Sequence, residues 1–201
     1  MATTIRPATA ADAAQILAFI RALAAYERAP HAAIATEADL LRDGFGPKPF
    51  FFCLIAEQDG QPAGFALYFF SYSTWMGRPG LYLEDIFVQP EFRGLGIGMA
   101  LLKRVAAIAV EKGCQRLEWA VLDWNTPAID FYRAAGAEFL DEWRNMRVTG
   151  EALERLAGVP CAAPTLKGTP AGRPIPSSAA ADGKAGDRES QSTDAQAEVA
   201  Q

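Results

Sequence analysis

The eight residues Arg93-Gly94-Leu95-Gly96-Ile97-Gly98-Met99-Ala100 join a strand-like run, Leu81-Tyr82-Leu83-Glu84-Asp85-Ile86-Phe87-Val88, to a helix-like one. Alternate glycines remove side chains where backbone N–H groups must approach a ligand. A helix N-terminus adds unpaired donors and a partial positive charge of roughly half an electron. Such a junction suits a phosphate or pyrophosphate. Residues 117–121 read as a further strand beyond the helix, so the junction also implies a βαβ crossover with locally parallel strands.

Spacing separates the phosphate loops that compete for this segment. A nucleotide-triphosphate loop needs a lysine and a hydroxyl after its last glycine, and Gly98 is followed by Met99-Ala100. A dinucleotide fingerprint needs G-x-G-x-x-G, whereas Gly94, Gly96 and Gly98 run G-x-G-x-G. A third pattern, Arg/Gln-x-x-Gly-x-Gly/Ala, is satisfied by Arg93, Gly96 and Gly98. An ordinary glycine-rich turn capping a helix is the remaining alternative.

The chain has 201 residues, half of them apolar, enough for one full core and a tail. Its net charge of −5 argues against a nucleic-acid surface and suits a cationic small substrate. Cys53, Cys114 and Cys161 are odd in number and far apart, which indicates neither a disulfide framework nor a zinc site. A single histidine, His31, cannot assemble a multi-histidine metal site, so no metal is expected. No basic and apolar leader opens the sequence and no apolar run is long enough for a membrane span. A cytoplasmic protein is expected. From 158 onward the composition turns to Ala, Gly, Pro, Ser and Thr, and residues 158–201 read as a disordered tail behind a domain spanning 1–157.

Along that domain, 3–7 reads as extended. Thr9 and Asp12 then supply an N-cap and an early acid for an amphipathic helix over about 10–27. Thr36-Glu37-Ala38-Asp39 is a capping-box arrangement opening a short helix that stops at Gly44. Residues 50–56 form a dense aromatic and aliphatic strand, Asp59-Gly60 a hairpin turn, and 63–72 the returning strand. A loop through Gly77, Pro79 and Gly80 leads to the strand 81–88. The helix after the glycine loop ends at Lys112-Gly113, and a short one runs over 126–135 with Pro127 in its first turn. Residues 137–140 and 142–148 are the last strand candidates, before a terminal helix near 151–156. The fold class is α/β: a mixed, mostly antiparallel central sheet with helices on both faces.

The glycine loop and this order of elements resemble the GNAT family of N-acetyltransferases, whose members bind acetyl-coenzyme A, over roughly residues 3–157. The run Tyr82 to Val88, the loop from Arg93 to Gly98, Trp124-Asn125 and Asp130-Phe131-Tyr132 resemble the diamine acetyltransferase subfamily. Ser71-Tyr72-Ser73-Thr74-Trp75 and Ala120-Val121-Leu122-Asp123-Trp124-Asn125 are more similar to its thialysine-acetylating branch.

The chemistry defines the groups required. A primary ammonium of pKa near ~10.4 must lose a proton before it attacks a thioester. By resemblance Glu84 takes that proton through ordered water. Neighbouring strand residues face opposite sides, so Asp85 can share the substrate pocket only if the strand bulges there, as the family's strand does. Backbone N–H groups at Ile86, Phe87 and Val88 are placed to stabilise the developing oxyanion if the strand is splayed. Tyr132, by resemblance, is the general acid for the departing thiolate. A phenol of pKa near ~10 keeps its proton at neutral pH. Transfer is expected to be direct, without an acyl-cysteine.

The resemblance implies that acetyl-CoA is the co-substrate and that Arg93, Gly94, Leu95, Gly96, Ile97, Gly98 and Met99 hold its pyrophosphate. Asn125, Thr126, Pro127 and Ala128 would flank the pantetheine arm. It implies an amine pocket of Tyr26, Glu27, Trp75, Glu84, Asp85, Glu118, Trp119, Ala120 and Asp141, and a homodimer. A cation among carboxylates and aromatic faces gains Coulomb and cation–π attraction. Where polyamine-acetylating relatives carry an acid two residues before the tryptophan, this chain has Ser73, which favours a lysine-like amine over a long polycation. A protein lysine or N-terminal acetyltransferase and a non-catalytic acetyl-CoA sensor are the rival readings.

Overall fold

The computed structural model describes residues 2–158. In chain order they form β1 (Thr3–Pro7), α1 (Ala13–Tyr26), α2 (Glu37–Gly44), β2 (Phe52–Gln58), β3 (Gln61–Ser73), β4 (Arg78–Val88), α3 (Ile97–Glu111), β5 (Leu117–Glu118), α4 (Thr126–Ala134) and α5 (Glu151–Leu156). The five strands make one sheet in sequence order. All neighbours are antiparallel except β4 and β5, the two strands joined across α3.

Side-chain alternation divides the core between the two faces of this sheet. Leu54, Ala66, Leu81 and Leu83 pack with Ile97, Leu101 and Val105 of α3 on one face. Ile55, Phe65, Leu67 and Phe87 pack with Ile16, Phe19 and Leu23 of α1 and Leu40 of α2 on the other. Phe19 stacks on Phe65 with ring centroids 5.5 Å apart. Burial on both faces explains why β2 reads as an unbroken apolar run.

Local signals in the sequence have clear counterparts. Thr36 N–H donates to Asp39 Oδ2 at 3.0 Å and Asp39 N–H donates to Thr36 Oγ1 at 3.2 Å, closing the capping box of α2. Asp59 and Gly60 both take positive φ, 51° and 79°, as a two-residue hairpin turn requires. Pro79 and Gly80, expected in a loop, instead begin β4, opposite Tyr72 and Ser71. The hairpin therefore turns at 74–77, where Met76 N–H donates to Ser73 Oγ at 3.2 Å.

Three expected strands differ. The strand expected over 117–121 pairs with β4 at only two positions, Leu81 with Leu117 and Tyr82 with Glu118. Residues 137–140 and 142–148 form no strand. A strand needs a ladder, and β5 is too short to offer one. Met146 is 96 % exposed, and Phe139, Leu140 and Trp143 are exposed as well. The expected tail over 158–201 lies, apart from Gly158, outside the described residues.

Candidate active site

The site follows from two irregularities in β4. Leu67 of β3 faces Asp85 whereas its neighbour Tyr68 faces Leu83, so Glu84 is an extra residue with no partner across the ladder. This bulge lets two consecutive acids, Glu84 and Asp85, line one cleft. Beyond Tyr82 the β4–β5 ladder stops, and the two chains separate into the walls of that cleft, Glu84 to Val88 on one side and Ala120 to Leu122 on the other. Gln89 N–H donates back to Ala63 O at 2.9 Å. Strand alternation then turns the N–H groups of Val88 and Ile86 the opposite way, into the cleft.

Two helix N-termini border the cleft. Gly94 and Gly96 both adopt φ of +78°, and Gly96 is the N-cap of α3. The first hydrogen bond of α3 runs from Ala100 N–H to Gly96 O at 3.0 Å. Ile97, Gly98 and Met99 therefore have N–H groups with no partner inside the helix, and no side chain caps them. Opposite stands α4, whose N-cap Asn125 is 8 % exposed and accepts from Ala128 N–H at 3.4 Å. Arg93 is no idle loop cation. Its Nε donates to Val88 O at 3.0 Å, and its guanidinium lies 4.9 Å from the Tyr26 ring and 5.7 Å from the Phe87 ring.

Tyr132 projects from α4 into the same cleft, packed 4.8 Å from the Trp119 ring. Burial pushes its phenol up to about 12, and the negative charges of Glu27 and Asp85 add to the shift. Tyr132 is thus a protonated donor facing acids. Cys53 is buried within β2 with its thiol pushed up to about 12, chiefly by burial, which leaves no nucleophilic thiolate there.

Of the residues picked out in the sequence, the cleft brings together Tyr26, Glu27, Glu84, Asp85, Ile86, Phe87, Val88, Arg93, Gly98, Ala120, Asn125, Pro127, Ala128 and Tyr132. Gly94, Leu95, Gly96, Ile97, Met99 and Thr126 lie in or beside the two helix starts without lining it. Four residues expected in the amine pocket do not line the cleft in this chain: Trp119 packs its ring against Tyr132 at 4.8 Å, and the other three stand elsewhere. Trp75 is 90 % exposed at the hairpin turn, Asp141 lies in the exposed segment after α4, and Glu118 is paired with Arg116 at 2.8 Å. Leu23, Val121, Leu122 and Phe131 line the cleft unanticipated. Leu23 comes there by the packing of α1, Val121 and Leu122 by the chain's departure from β5, and Phe131 by its place on α4 beside Tyr132.

The cleft, about 280 Å³ in volume, offers anion-binding backbone at two helix starts, in-pointing strand N–H groups, three carboxylates and a protonated phenol. Among the described residues no cluster of three His, Cys, Asp or Glu could hold a metal ion. Nor is any helix among them long and apolar enough to cross a membrane.

Known proteins resemble this chain in sequence or in fold. A thialysine N-epsilon-acetyltransferase from Bos taurus is 48 % identical over 165 residues, which covers 77 % of this chain and 96 % of that protein. An L-ornithine N5-acetyltransferase from Arabidopsis thaliana is 33 % identical, covering 78 % and 88 %. The structure of an integron cassette protein from the mobile metagenome of V. cholerae superposes with a TM-score of 0.65 at 29 % identity, covering 78 % of this chain and 98 % of that one. An aminoglycoside acetyltransferase from a soil metagenome, solved with sisomicin, shares the fold at a TM-score of 0.62 and 19 % identity, covering 73 % and 95 %. The model of the acetyltransferase (GNAT) family matches residues 12–137, more than half of the sequence, and with a β4 bulge, a splayed β4–β5 pair and a glycine-led α3 the chain belongs to that family.

Proposed function

We propose that the protein transfers an acetyl group from acetyl-CoA to the primary amine of a thialysine-like or lysine-like small molecule, by direct attack. The observation that carries this reading is the convergence in one cleft of Glu84, Asp85, Tyr132 and the in-turned N–H groups of Ile86 and Val88. The N–H groups of Ile97, Gly98 and Met99 and the Arg93 guanidinium suit the pyrophosphate, and Asn125 to Ala128 suit the arm that follows.

The chain's own groups then divide the work. Glu27, Glu84 and Asp85 attract and orient the ammonium, and Glu84 accepts its proton through water. The amine nitrogen bonds to the thioester carbon while Ile86 and Val88 N–H groups hold the oxyanion. As the C–S bond breaks, Tyr132 gives its proton to the sulfur, and the second amine proton returns the phenolate to phenol. Relatives that acetylate thialysine and ornithine support a small amino-acid amine as the acceptor. The exposed apolar run Phe139, Leu140, Trp143 and Met146 supports a homodimer as the working unit.

The test is thiol release from acetyl-CoA, with kcat/KM compared for thialysine, lysine, ornithine, putrescine and spermidine. Preference for an amino-acid amine is expected. Preference for the polyamines would overturn the acceptor assignment, and acetylation of peptides alone would replace the small-molecule reading altogether.

A further inference from the structure

Tyr26, the last residue of α1, touches both lips of the cleft. Its hydroxyl donates to Asn125 Oδ1 at 3.0 Å, across 99 residues of sequence. The same oxygen caps Ala128 N–H, so the tyrosine supports the N-terminus of α4. Its ring lies 4.9 Å from the Arg93 guanidinium, on the loop that leads into α3, and 6.3 Å from the Trp124 ring. Arg28, just past α1, adds a second clasp over Trp124 at 4.6 Å. The two helix starts are not joined by the sheet at this point, because the β4–β5 ladder has ended. Their separation is therefore set by what spans them, and α1 is anchored for that purpose by Ile16, Phe19 and Leu23 in the core.

Resting on the reading of the cleft as an acetyl-CoA site, we infer that Tyr26 is a positioning residue for the coenzyme rather than a contact for the amine. Its hydroxyl is committed to Asn125, and its ring carries the arginine that faces the pyrophosphate. By holding the α4 cap and the α3 loop at one spacing, it presets both ends of the coenzyme groove before the ligand arrives. Preorganisation of this kind appears in coenzyme affinity, since the ordering cost is met in the free protein.

The experiment is a double-mutant cycle on the full chain between Tyr26→Phe and Asn125→Ala, read by acetyl-CoA binding without amine and by separate KM values for coenzyme and amine. Tyr26→Phe keeps the ring beneath Arg93 and loses one neutral hydrogen bond, so the coenzyme Kd and KM rise about three- to tenfold. The amine KM and kcat stay within about twofold, because an interaction made before the chemical step affects binding alone. Asn125→Ala weakens coenzyme binding further, through the lost cap. The double variant matches Asn125→Ala alone, since the hydroxyl then has nothing left to hold. Tyr26→Leu, which also removes the ring, costs more than Tyr26→Phe. Independent effects that multiply in the double variant would overturn the inference, as would a Tyr26→Phe variant that raises only the amine KM. In either case wild-type binding of acetyl-CoA would leave the reading of the cleft standing. A wild-type protein that binds no acetyl-CoA would remove both together.

Discussion

Arg93 Nε donates to the carbonyl oxygen of Val88 at 3.0 Å, tying the glycine loop to the end of the splayed strand. On the proposed reading, one arginine thereby aligns the side of the cleft that would take the pyrophosphate with the strand that would hold the oxyanion. Arg93→Ala should raise the KM for acetyl-CoA about ten- to a hundredfold, in keeping with loss of a charge-assisted contact worth ~1.5–3 kcal/mol. Arg93→Lys should recover only part of this, because an ammonium cannot bond Val88 O and a phosphate with the same planar fork. Coenzyme titration of the two variants checks it, and equal affinity in Arg93→Ala would remove Arg93 from the site.

Tyr132 separates acid catalysis from packing. Tyr132→Phe keeps the ring against Trp119 and removes the proton donor, so kcat should fall about 10²- to 10⁴-fold with coenzyme affinity little changed. With the phenol pushed up to about 12, wild-type kcat should show no alkaline loss from Tyr132 below that pH. The linked effect on stability has a definite sign. Between the unfolded pKa near ~10 and the folded value, the unfolded chain has released a proton that the fold retains, so stability falls as pH rises through that window. Tyr132→Phe should lack this part of the alkaline loss in denaturation curves taken from pH 9 upward.

Gly96→Ala tests conformation without crowding. The residue has φ +78°, and nothing lies within 4 Å of an added Cβ. The substitution should cost about 1–2 kcal/mol through the left-handed backbone alone, or shift the start of α3 to relieve it. Gly98→Ala has no such strain, since its Cβ would meet Phe131 at an ordinary 3.8 Å. Urea denaturation should therefore rank Gly96→Ala below Gly98→Ala in stability. The reverse order would refute the backbone argument.

Asp12 joins three parts of the fold. It accepts from Arg6 Nη1 and Nη2 at 2.9 and 2.8 Å and from Thr9 N–H at 2.7 Å, while Arg6 Nε donates to Glu57 at 2.8 Å. The Arg6 pair and the Thr9 bonds hold its carboxyl well below the usual carboxylate range, against the opposing effect of burial. Asp12→Ala should cost about 1–2 kcal/mol, moderated because Arg6 is partly in water. The sign follows from a depressed folded pKa. The contribution is complete above the unfolded value near ~3.9 and fades as pH falls below it. Chemical denaturation at pH 7 and pH 3 should show the wild-type advantage shrinking at the lower pH.

Much of the sequence reading depended on signals that act over a few residues. The capping box at Thr36, the turn at Asp59-Gly60 and the glycine loop each specify their own backbone, and all three stand as read. Pro79 and Gly80 misled because a turn-forming composition was read as a turn. Proline tolerates an early strand position, and Gly80 lies where the Ser71 and Arg116 side chains come close to the backbone. The apolar residues of 137–148 misled for another reason, since a strand pattern forms no ladder without a neighbouring edge.

The chain's local chemistry by itself determined the strand-loop-helix junction, the α/β class and the presence of Glu84, Asp85 and Tyr132, because each is set by residue type and short-range spacing. Tertiary structure alone decided which of them meet. The bulge that turns Glu84 and Asp85 into one cleft arises from the register of β3 against β4, and the parting of β4 from β5 comes from a ladder two positions long. The clasp of Tyr26 on Asn125 spans 99 residues. Contacts of that range depend on how sheet and helices pack as a whole, and no local pattern encodes that.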